Sequence, residues 1–307
     1  MSPFESYIAP ARARTGFWRV VVGILLILFC WVASMLVMLT AFVISKLATN
    51  NSLEAAMAQL DSLMNSHDPT AVLVMLLSFA GIWVGVFAAL TWLHGQRFST
   101  IFAPPGRHRI IDFLKGAAIM PVSILLLIAI SGGAGMGMGD PQPLMPLETW
   151  LIWVGPILVL VFFQATAEEL IFRGYFVQQL AVRSRYALVW AVIPSVLFGM
   201  LHYGDRPDGS DIYYIGVTAV MGLIFCTLVW RSGSLWPAIG LHVVTNAYAL
   251  TIVTVDGSLV GTQLWVFQKA DFVSALQMQL GILVVILIAL LSPLGRIYDA
   301  PARPGGG

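Results

Sequence analysis

Two adjacent carboxylates and one guanidinium stand inside the apolar stretch QATAEELIFRGYF, residues 164–176. Glu169 and Arg173 are four residues apart with the acid on the N-terminal side, which is the better orientation for an ion pair on a helix surface. Glu168 is rotated by about 100° from Glu169, because a helix has about 3.6 residues per turn. Glu168 can therefore face a cavity while Arg173 holds Glu169. Taken alone, the Glu169–Arg173 pair fits a structural clamp equally well.

Two further apolar stretches carry polar residues at helical spacing. FGMLH places Phe198 one turn before His202, and HVVTN places His242 and Asn246 on one face of a helix. Ionisable residues within membrane segments usually face the protein interior and mark function. Taken singly, each histidine is more often a hydrogen bond between helices than a functional group. Together, the three stretches are harder to explain by packing alone.

The combined residue types are those that peptide hydrolysis needs. A carboxylate can take a proton from water as general base. A histidine can share or relay that proton near neutral pH. A second histidine and an asparagine can donate hydrogen bonds to the oxyanion of a tetrahedral intermediate. The three motifs therefore indicate a hydrolytic site.

With EELIFR, FGMLH and HVVTN in that order, the sequence resembles the CAAX protease and bacteriocin-processing family, the type II CAAX prenyl endopeptidases. The resemblance covers about residues 150 to 255, and the flanking segments match only in being apolar. It implies an intramembrane endopeptidase that hydrolyses a peptide bond of a membrane-associated protein or peptide. By position, Glu168 would activate the attacking water with help from His202, and His242 and Asn246 would stabilise the oxyanion. The supporting residues would be Glu169, Arg173 and Phe198.

The resemblance leaves the role of a metal open. Glu168, His202 and His242 could in principle form a zinc site with two histidines and one carboxylate. The H-E-x-x-H helix motif of zinc proteases is absent. Only two cysteines occur, Cys30 and Cys226, each in an apolar run, which argues against a disulfide framework or a thiolate site. We expect a glutamate-activated water rather than an obligatory catalytic metal.

The composition places the chain in a lipid bilayer. Apolar residues make up 59% of the sequence and charged residues only 10%, whereas soluble domains average about 25% charged residues. The net charge of +1 argues against nucleic acid as a partner, because phosphate binding needs a clustered basic face.

The apolar runs predict an all-α, polytopic transmembrane helix bundle. About 20 apolar residues are needed for one spanning helix. Eight spans are expected, at 18–45, 71–94, 110–131, 150–168, 186–203, 212–230, 234–255 and 275–292. The sequence predicts a single integral-membrane domain over 1–307, with a motif-bearing core at 150–255 and a disordered tail at 297–307. A helix running unbroken from 150 to 183 would be roughly 50 Å long, so a break or an interfacial turn is expected after Gly174.

Loop charges predict the orientation in the membrane. Arg12, Arg14 and Arg19 precede the first span, which places the N-terminus in the cytoplasm. Loop charges then alternate through eight crossings, and Arg296 and Arg303 place the C-terminus on the same side. A bacterial inner membrane is the expected location.

Two other functional classes stay open. A non-catalytic immunity or regulatory membrane protein could retain the protease fold. A transporter or proton relay also uses carboxylates and histidines in the membrane, but the sequence has no second copy of EELIFR. The sequence has no feature that indicates a prenyl-binding pocket, so prenylated and unprenylated substrates both stay open.

Overall fold

The computed structural model describes residues 1–50, 52, 54, 57, 69–106, 108–131, 140–204, 209–255, 261–267 and 272–299. The structure is 80% helical, so the predicted all-α class is confirmed. The α-helices are α1 Pro3–Ile8, α2 Phe17–Asn50, α3 Pro69–Ser78, α4 Ala80–Ala88, α5 Arg109–Ala117, α6 Ile119–Ser131, α7 Leu147–Glu169, α8 Val177–Ala181, α9 Ile193–Met200, α10 Asp211–Ser232, α11 Trp236–Thr251 and α12 Phe272–Leu291. Turns of 3-10 helix lie at Ala9–Ala13, Phe98–Ile101 and Pro293–Tyr298, and π-helical turns at Ala89–Leu93, Leu170–Phe176 and Leu188–Val192.

Several helical stretches are apolar enough to lie in a membrane. Among the described residues, four are long enough to cross one, namely Phe17–Thr49, Val72–Leu93, Leu147–Ala181 and Asp211–Ser232. Two shorter apolar stretches are Leu188–Met200 and Leu276–Leu291. The membrane helix bundle is therefore supported, whereas the predicted count of eight spans is not confirmed.

The predicted span 110–131 is divided into two helices. α5 ends at Ala117 and α6 begins at Ile119, with a turn at Ala118 between them. α5 carries Arg109, Asp112 and Lys115 among apolar residues, so it is amphipathic rather than apolar throughout.

The helix that carries EELIFR is continuous, and the expected break after Gly174 is wrong. α7 continues through the π-helical turn Leu170–Phe176 into α8 without interruption. Gly174 has a packing role instead, since a Cβ placed there would lie 2.6 Å from Ile101 Cγ1. At about 1.5 Å per residue the stretch is about 50 Å long, so it tilts or extends beyond a hydrocarbon core of about 30 Å.

A small sheet of short strands lies at one end of the bundle. Its strands are β1 Gln142–Pro143, β2 Val253–Val255 and β3 Trp265–Phe267, in the order β1-β3-β2. β1 pairs with β3 antiparallel, with Gln142 opposite Val266, and β2 pairs with β3 parallel. The predicted span 234–255 is therefore too long, because α11 ends at Thr251 and the chain continues as β2.

Helices α7, α9, α10 and α11 position the three motifs. α11 packs against α5, α7 and α10, and α10 packs against α9 and α12. EELIFR thus starts on α7, FGMLH lies at the end of α9, and HVVTN lies on α11. In the predicted tail, Ile297 and Tyr298 belong to a 3-10 helix, and 300–307 lie outside the described residues.

Candidate active site

His242 contacts both glutamates of the first motif. Its Nδ1 lies 2.7 Å from Glu169 Oε1, and its Nε2 lies 3.3 Å from Glu168 Oε2. Because a carboxylate oxygen accepts, Nδ1–H donates to Glu169. The ring of His242 also stacks on Phe225, with centroids 5.0 Å apart and planes inclined by 19°. The imidazole is therefore held at both nitrogens and on one face.

Glu169 forms an ion pair with Arg173 one helical turn away. Arg173 Nη1 lies 3.1 Å from Glu169 Oε1, and both side chains are fully buried. The guanidinium lies over aromatic rings, with its Cζ 4.4 Å from the Phe198 centroid and 4.8 Å from the Phe225 centroid. Cation–π attraction is strongest where water is excluded, so these rings help to compensate for the lost hydration of Arg173.

A glycine on α10 makes room for this guanidinium. A Cβ at Gly222 would lie 2.8 Å from Arg173 Nη2 and 2.9 Å from Ser195 Cβ. α10 can therefore approach α9 and the arginine closely only while this position carries no side chain.

The side chains of Glu168 and Glu169 differ in their exposed fraction. The side chain of Glu168 is 15% exposed, whereas that of Glu169 is fully buried. The rotation of about 100° between adjacent residues places one acid at the edge of the polar cluster and the other within it. Glu168 is thus the more exposed of the two carboxylates.

His202 lies beside the cluster and contacts it through an aromatic ring. Its Nδ1 lies 2.8 Å from the carbonyl oxygen of Phe198, so Nδ1–H donates and the neutral imidazole keeps its lone pair on Nε2. The Phe198 ring is 4.9 Å from the His202 ring and 6.0 Å from the His242 ring. Among the described residues, His202 forms no hydrogen bond to either glutamate.

Asn246 contacts a residue that the sequence reasoning missed. Its Nδ2 donates to Gln164 Oε1 at 3.0 Å, and Gln164 is only 5% exposed. Gln164 lies four residues before Glu168 on α7, so both occupy the same helix face. An amide at that spacing within an apolar run was the available signal. Phe225 was also missed, and in the sequence it is one of several phenylalanines in apolar segments.

Comparison with known families decides the identity of the segment that carries this cluster. Residues 149–248 match the family model described as Type II CAAX prenyl endopeptidase Rce1-like. The segment 149–248 is therefore similar to Rce1-like proteins, and it is called the Rce1-like domain for that similarity. It covers about a third of the chain and includes all seven predicted site residues, so the resemblance inferred from the motifs is confirmed.

The similarity to a full-length protein extends beyond the Rce1-like domain. The chain is 22% identical over 265 residues to the uncharacterized protein YyaK of Bacillus subtilis (strain 168), covering 84% of this chain and 85% of that protein. No solved structure gives a significant match. The domain and the four long apolar helices together indicate an integral membrane protein.

The side chains of the Rce1-like domain are not arranged as a metal centre. In the part of the chain that the structure describes, no group of three or more His, Cys, Asp or Glu side chains is placed to hold a metal ion. Both ring nitrogens of His242 are directed at carboxylates, and His202 Nδ1 is directed at a carbonyl. The set of Glu168, His202 and His242 does not fit a zinc ion in this arrangement.

Arg173 lies on the π-helical turn Leu170–Phe176. Such turns leave backbone groups without their usual helical partners and are frequent at functional sites. The Tyr7 hydroxyl lies 3.1 Å from the carbonyl oxygen of Arg173 and 2.9 Å from that of Ile101. Burial raises the pKa of Tyr7 well above its usual value, so the hydroxyl keeps its proton for donation. The N-terminal helix α1 therefore supports the turn from outside the membrane spans.

Proposed function

We propose that this protein is an intramembrane endopeptidase that hydrolyses a peptide bond of a membrane-associated protein or peptide. One observation carries the proposal: the accessible carboxylate of Glu168 contacts His242, whose other nitrogen is held by the buried Glu169–Arg173 pair. The presence of this cluster within an Rce1-like domain supports the same reaction class.

Glu168 acts as the general base in the proposed mechanism. Its carboxylate takes a proton from a water molecule while the water oxygen bonds to the scissile carbonyl carbon. His202 assists, because Nδ1 donates to the Phe198 carbonyl oxygen and Nε2 can accept the second hydrogen of that water. Both groups hold the nucleophile before attack, which lowers the entropic part of the barrier.

His242 and Asn246 stabilise the negative charge that develops on the substrate oxygen. The lone pairs of His242 Nε2 and Glu168 Oε2 would repel at 3.3 Å without a proton, so the two groups share one. When that proton lies on Nε2, His242 can donate to the oxyanion. Asn246 uses one amide hydrogen on Gln164 and keeps the other for the same oxyanion.

Collapse of the tetrahedral intermediate completes the cycle. The carbon–nitrogen bond breaks, and the proton that Glu168 took from water passes to the leaving nitrogen. Glu168 returns to its carboxylate form, and the water oxygen stays in the new carboxyl group. Glu169 and Arg173 keep His242 oriented throughout and contact no reacting atom in this mechanism.

The proposed location is a bacterial cell membrane with both termini in the cytoplasm. The similarity to a Bacillus subtilis protein supports a bacterial membrane, and the distribution of arginines supports the orientation. We also propose eight crossings, in which α5–α6, the stretch Leu188–Met200, α11 and α12 complete the four long spans.

Cleavage of a defined peptide pair tests the function. The purified protein in detergent is incubated with two internally quenched peptides that end in a CAAX sequence and differ only in a farnesyl group on cysteine. We expect at least one peptide to be cleaved, and Glu168→Gln to lower kcat/KM by about 10²–10⁴-fold, the usual contribution of general base catalysis. The ratio of the two wild-type rates reports the importance of the prenyl group.

A matched control lies on the same helix. Glu148 is an exposed acid in the first turn of α7, so Glu148→Gln should keep wild-type activity. Reaction in water labelled with ¹⁸O should place one label in the new carboxyl group. Equal cleavage by the wild type and Glu168→Gln, or cleavage of neither peptide by the wild type, would refute the proposal.

A further inference from the structure

Three arginines meet where the N-terminal segment passes the ends of two long helices. Arg14 Nη1 lies 3.4 Å from the carbonyl oxygen of Leu93, and Arg19 Nη1 lies 2.6 Å from the same oxygen. Arg183, just after α8, donates from Nε to the carbonyl oxygen of Thr15 at 3.0 Å and from Nη2 towards that of Arg14 at 3.4 Å. Arg14 and Arg19 thus share one acceptor. Arg183 also donates from Nη1 to Gln179 Oε1 at 3.1 Å and from Nη2 towards the carbonyl oxygen of Gly16 at 3.5 Å, so its donors are used within the chain. All three also lie close enough to the ring of His94 to act on it electrostatically.

No acidic side chain neutralises this cluster. Among the described residues, neither Arg14, Arg19 nor Arg183 has a carboxylate partner. Other arginines of the described chain do have one, in the pairs Arg12–Glu5, Arg173–Glu169 and Arg231–Asp299. The cluster therefore concentrates positive charge that no carboxylate balances in the part of the chain that the structure describes.

The Arg14 guanidinium packs against Gly95, which has a left-handed backbone and no side chain in the way. Gly95 has φ of +64°, and a Cβ there would lie 3.2 Å from Arg14 Cζ. The Arg14 side chain is itself exposed, so the group lies against the backbone while its remaining donors face outward. This geometry leaves donors available to an incoming ligand.

Two exposed tryptophans place the cluster at the depth of lipid headgroups. Trp18 precedes Arg19 and is 57% exposed, and Trp92 precedes Leu93 and is 70% exposed. The guanidinium of Arg19 lies 4.6 Å from the Trp18 ring centroid. Tryptophan is enriched at the membrane–water interface, and the distribution of arginines predicts that this interface is the cytoplasmic one.

We propose that Arg14 and Arg19 bind the phosphate of an anionic phospholipid headgroup, and that the positive charge of Arg183 adds to the attraction. Guanidinium groups match phosphate oxygens with paired N–H donors. The position beside Trp18 and Trp92 favours a lipid over free phosphate, because headgroup phosphates are concentrated at that depth. The site lies outside the three motifs, and its occupancy does not depend on the proposed peptidase activity.

A lipid competition experiment tests the proposal. The full-length protein in detergent receives an equimolar mixture of phosphatidylglycerol and phosphatidylcholine, and native mass spectrometry measures the ratio of the bound lipids. We expect phosphatidylglycerol to be enriched on the wild type and the enrichment to fall with added salt. Arg14→Gln should lower it by about fivefold, the usual effect of one arginine near an anionic lipid surface.

The control variant removes the positive charge of a neighbouring arginine that lies outside the cluster. Arg12 is paired with Glu5, so Arg12→Gln should keep the wild-type enrichment. Arg14 is exposed and holds its neighbours by long contacts, so Arg14→Gln should fold, which its unfolding temperature verifies. Unchanged enrichment in Arg14→Gln, or an equal loss in Arg12→Gln, would overturn the proposal. Equal thermal stabilisation by inorganic phosphate without phospholipid would overturn the lipid as the ligand.

Discussion

Loss of the buried cation at position 173 should destabilise the fold strongly. Arg173 and Glu169 are fully buried and lie 3.1 Å apart. Arg173→Met keeps much of the side-chain volume but leaves the Glu169 carboxylate buried without its cation. Removing one partner of a buried ion pair costs about 3–5 kcal/mol, because the remaining charge stays desolvated.

Removing the acid as well should recover part of that loss. In the double variant Arg173→Met/Glu169→Gln no charge is stranded, and the amide oxygen of glutamine can still accept from His242 Nδ1. We expect a coupling energy of about 2–3 kcal/mol between positions 169 and 173, near the upper end for residues in one network. The double variant should therefore be more stable than Arg173→Met alone.

Thermal unfolding in detergent, followed by tryptophan fluorescence, measures these differences. At about 2 °C per kcal/mol for a large domain, Arg173→Met should lower Tm by about 6–10 °C. Arg12→Met is the control, because the Arg12–Glu5 pair is exposed and such pairs contribute about 0–1 kcal/mol. A shift no larger than that of the control, or a double variant no more stable than Arg173→Met, would refute the reasoning.

Three further predictions address packing, the oxyanion and metal dependence. Gly222→Ala should lower Tm, because the new Cβ would lie 2.8 Å from Arg173 Nη2 and such overpacking costs about 1–3 kcal/mol. Gly216→Ala on the same helix should leave Tm unchanged, because the atom nearest to its Cβ is 3.8 Å away. Equal shifts of Tm in the two variants would contradict this explanation. Asn246→Ala should lower kcat by about 10²–10³-fold with little change in KM, and an unchanged kcat would exclude its oxyanion role. Treatment with 1,10-phenanthroline should leave peptide cleavage unchanged, since both nitrogens of His242 face carboxylates; a loss that added zinc restores would identify a metal enzyme.

Contacts within a single helical turn could be predicted from the sequence. The spacing of Glu169 and Arg173 indicates their ion pair, and the spacing of Phe198 and His202 indicates their contact. These contacts follow from the helix itself, because residues four apart lie on one face in any α-helix. The apolar runs likewise predict where most of the helices lie.

Contacts between helices could not be predicted in the same way. His242 and Glu169 are 73 residues apart, and Asn246 and Gln164 are 82 residues apart. Their meeting depends on the rotation of α11 against α7, which the packing of both apolar faces determines. The family resemblance assigned His242 to the oxyanion and did not reveal its contacts with both glutamates.

The ends of the helices and strands could not be predicted from the sequence pattern either. Length alone suggested a break after Gly174, whereas the helix continues through a π-helical turn and a close contact with Ile101 explains the glycine. The strand Val253–Val255 continues the apolar run of α11, so hydropathy could not separate the two. Hydropathy records that a segment is apolar, whereas local hydrogen bonding decides where its helix ends.

The charges of the cluster explain why two adjacent acids are tolerated in an apolar segment. In the proposed mechanism one proton lies between Glu168 and His242, and that proton and the Arg173 guanidinium then balance the two carboxylates. A neutral buried cluster avoids much of the cost of isolated charges. A structural clamp would need only Glu169 and Arg173, and it would leave no reason for an accessible carboxylate beside an imidazole. The second acid therefore favours catalysis over a purely structural role, because it adds an accessible proton acceptor where the ion pair alone would suffice for stability.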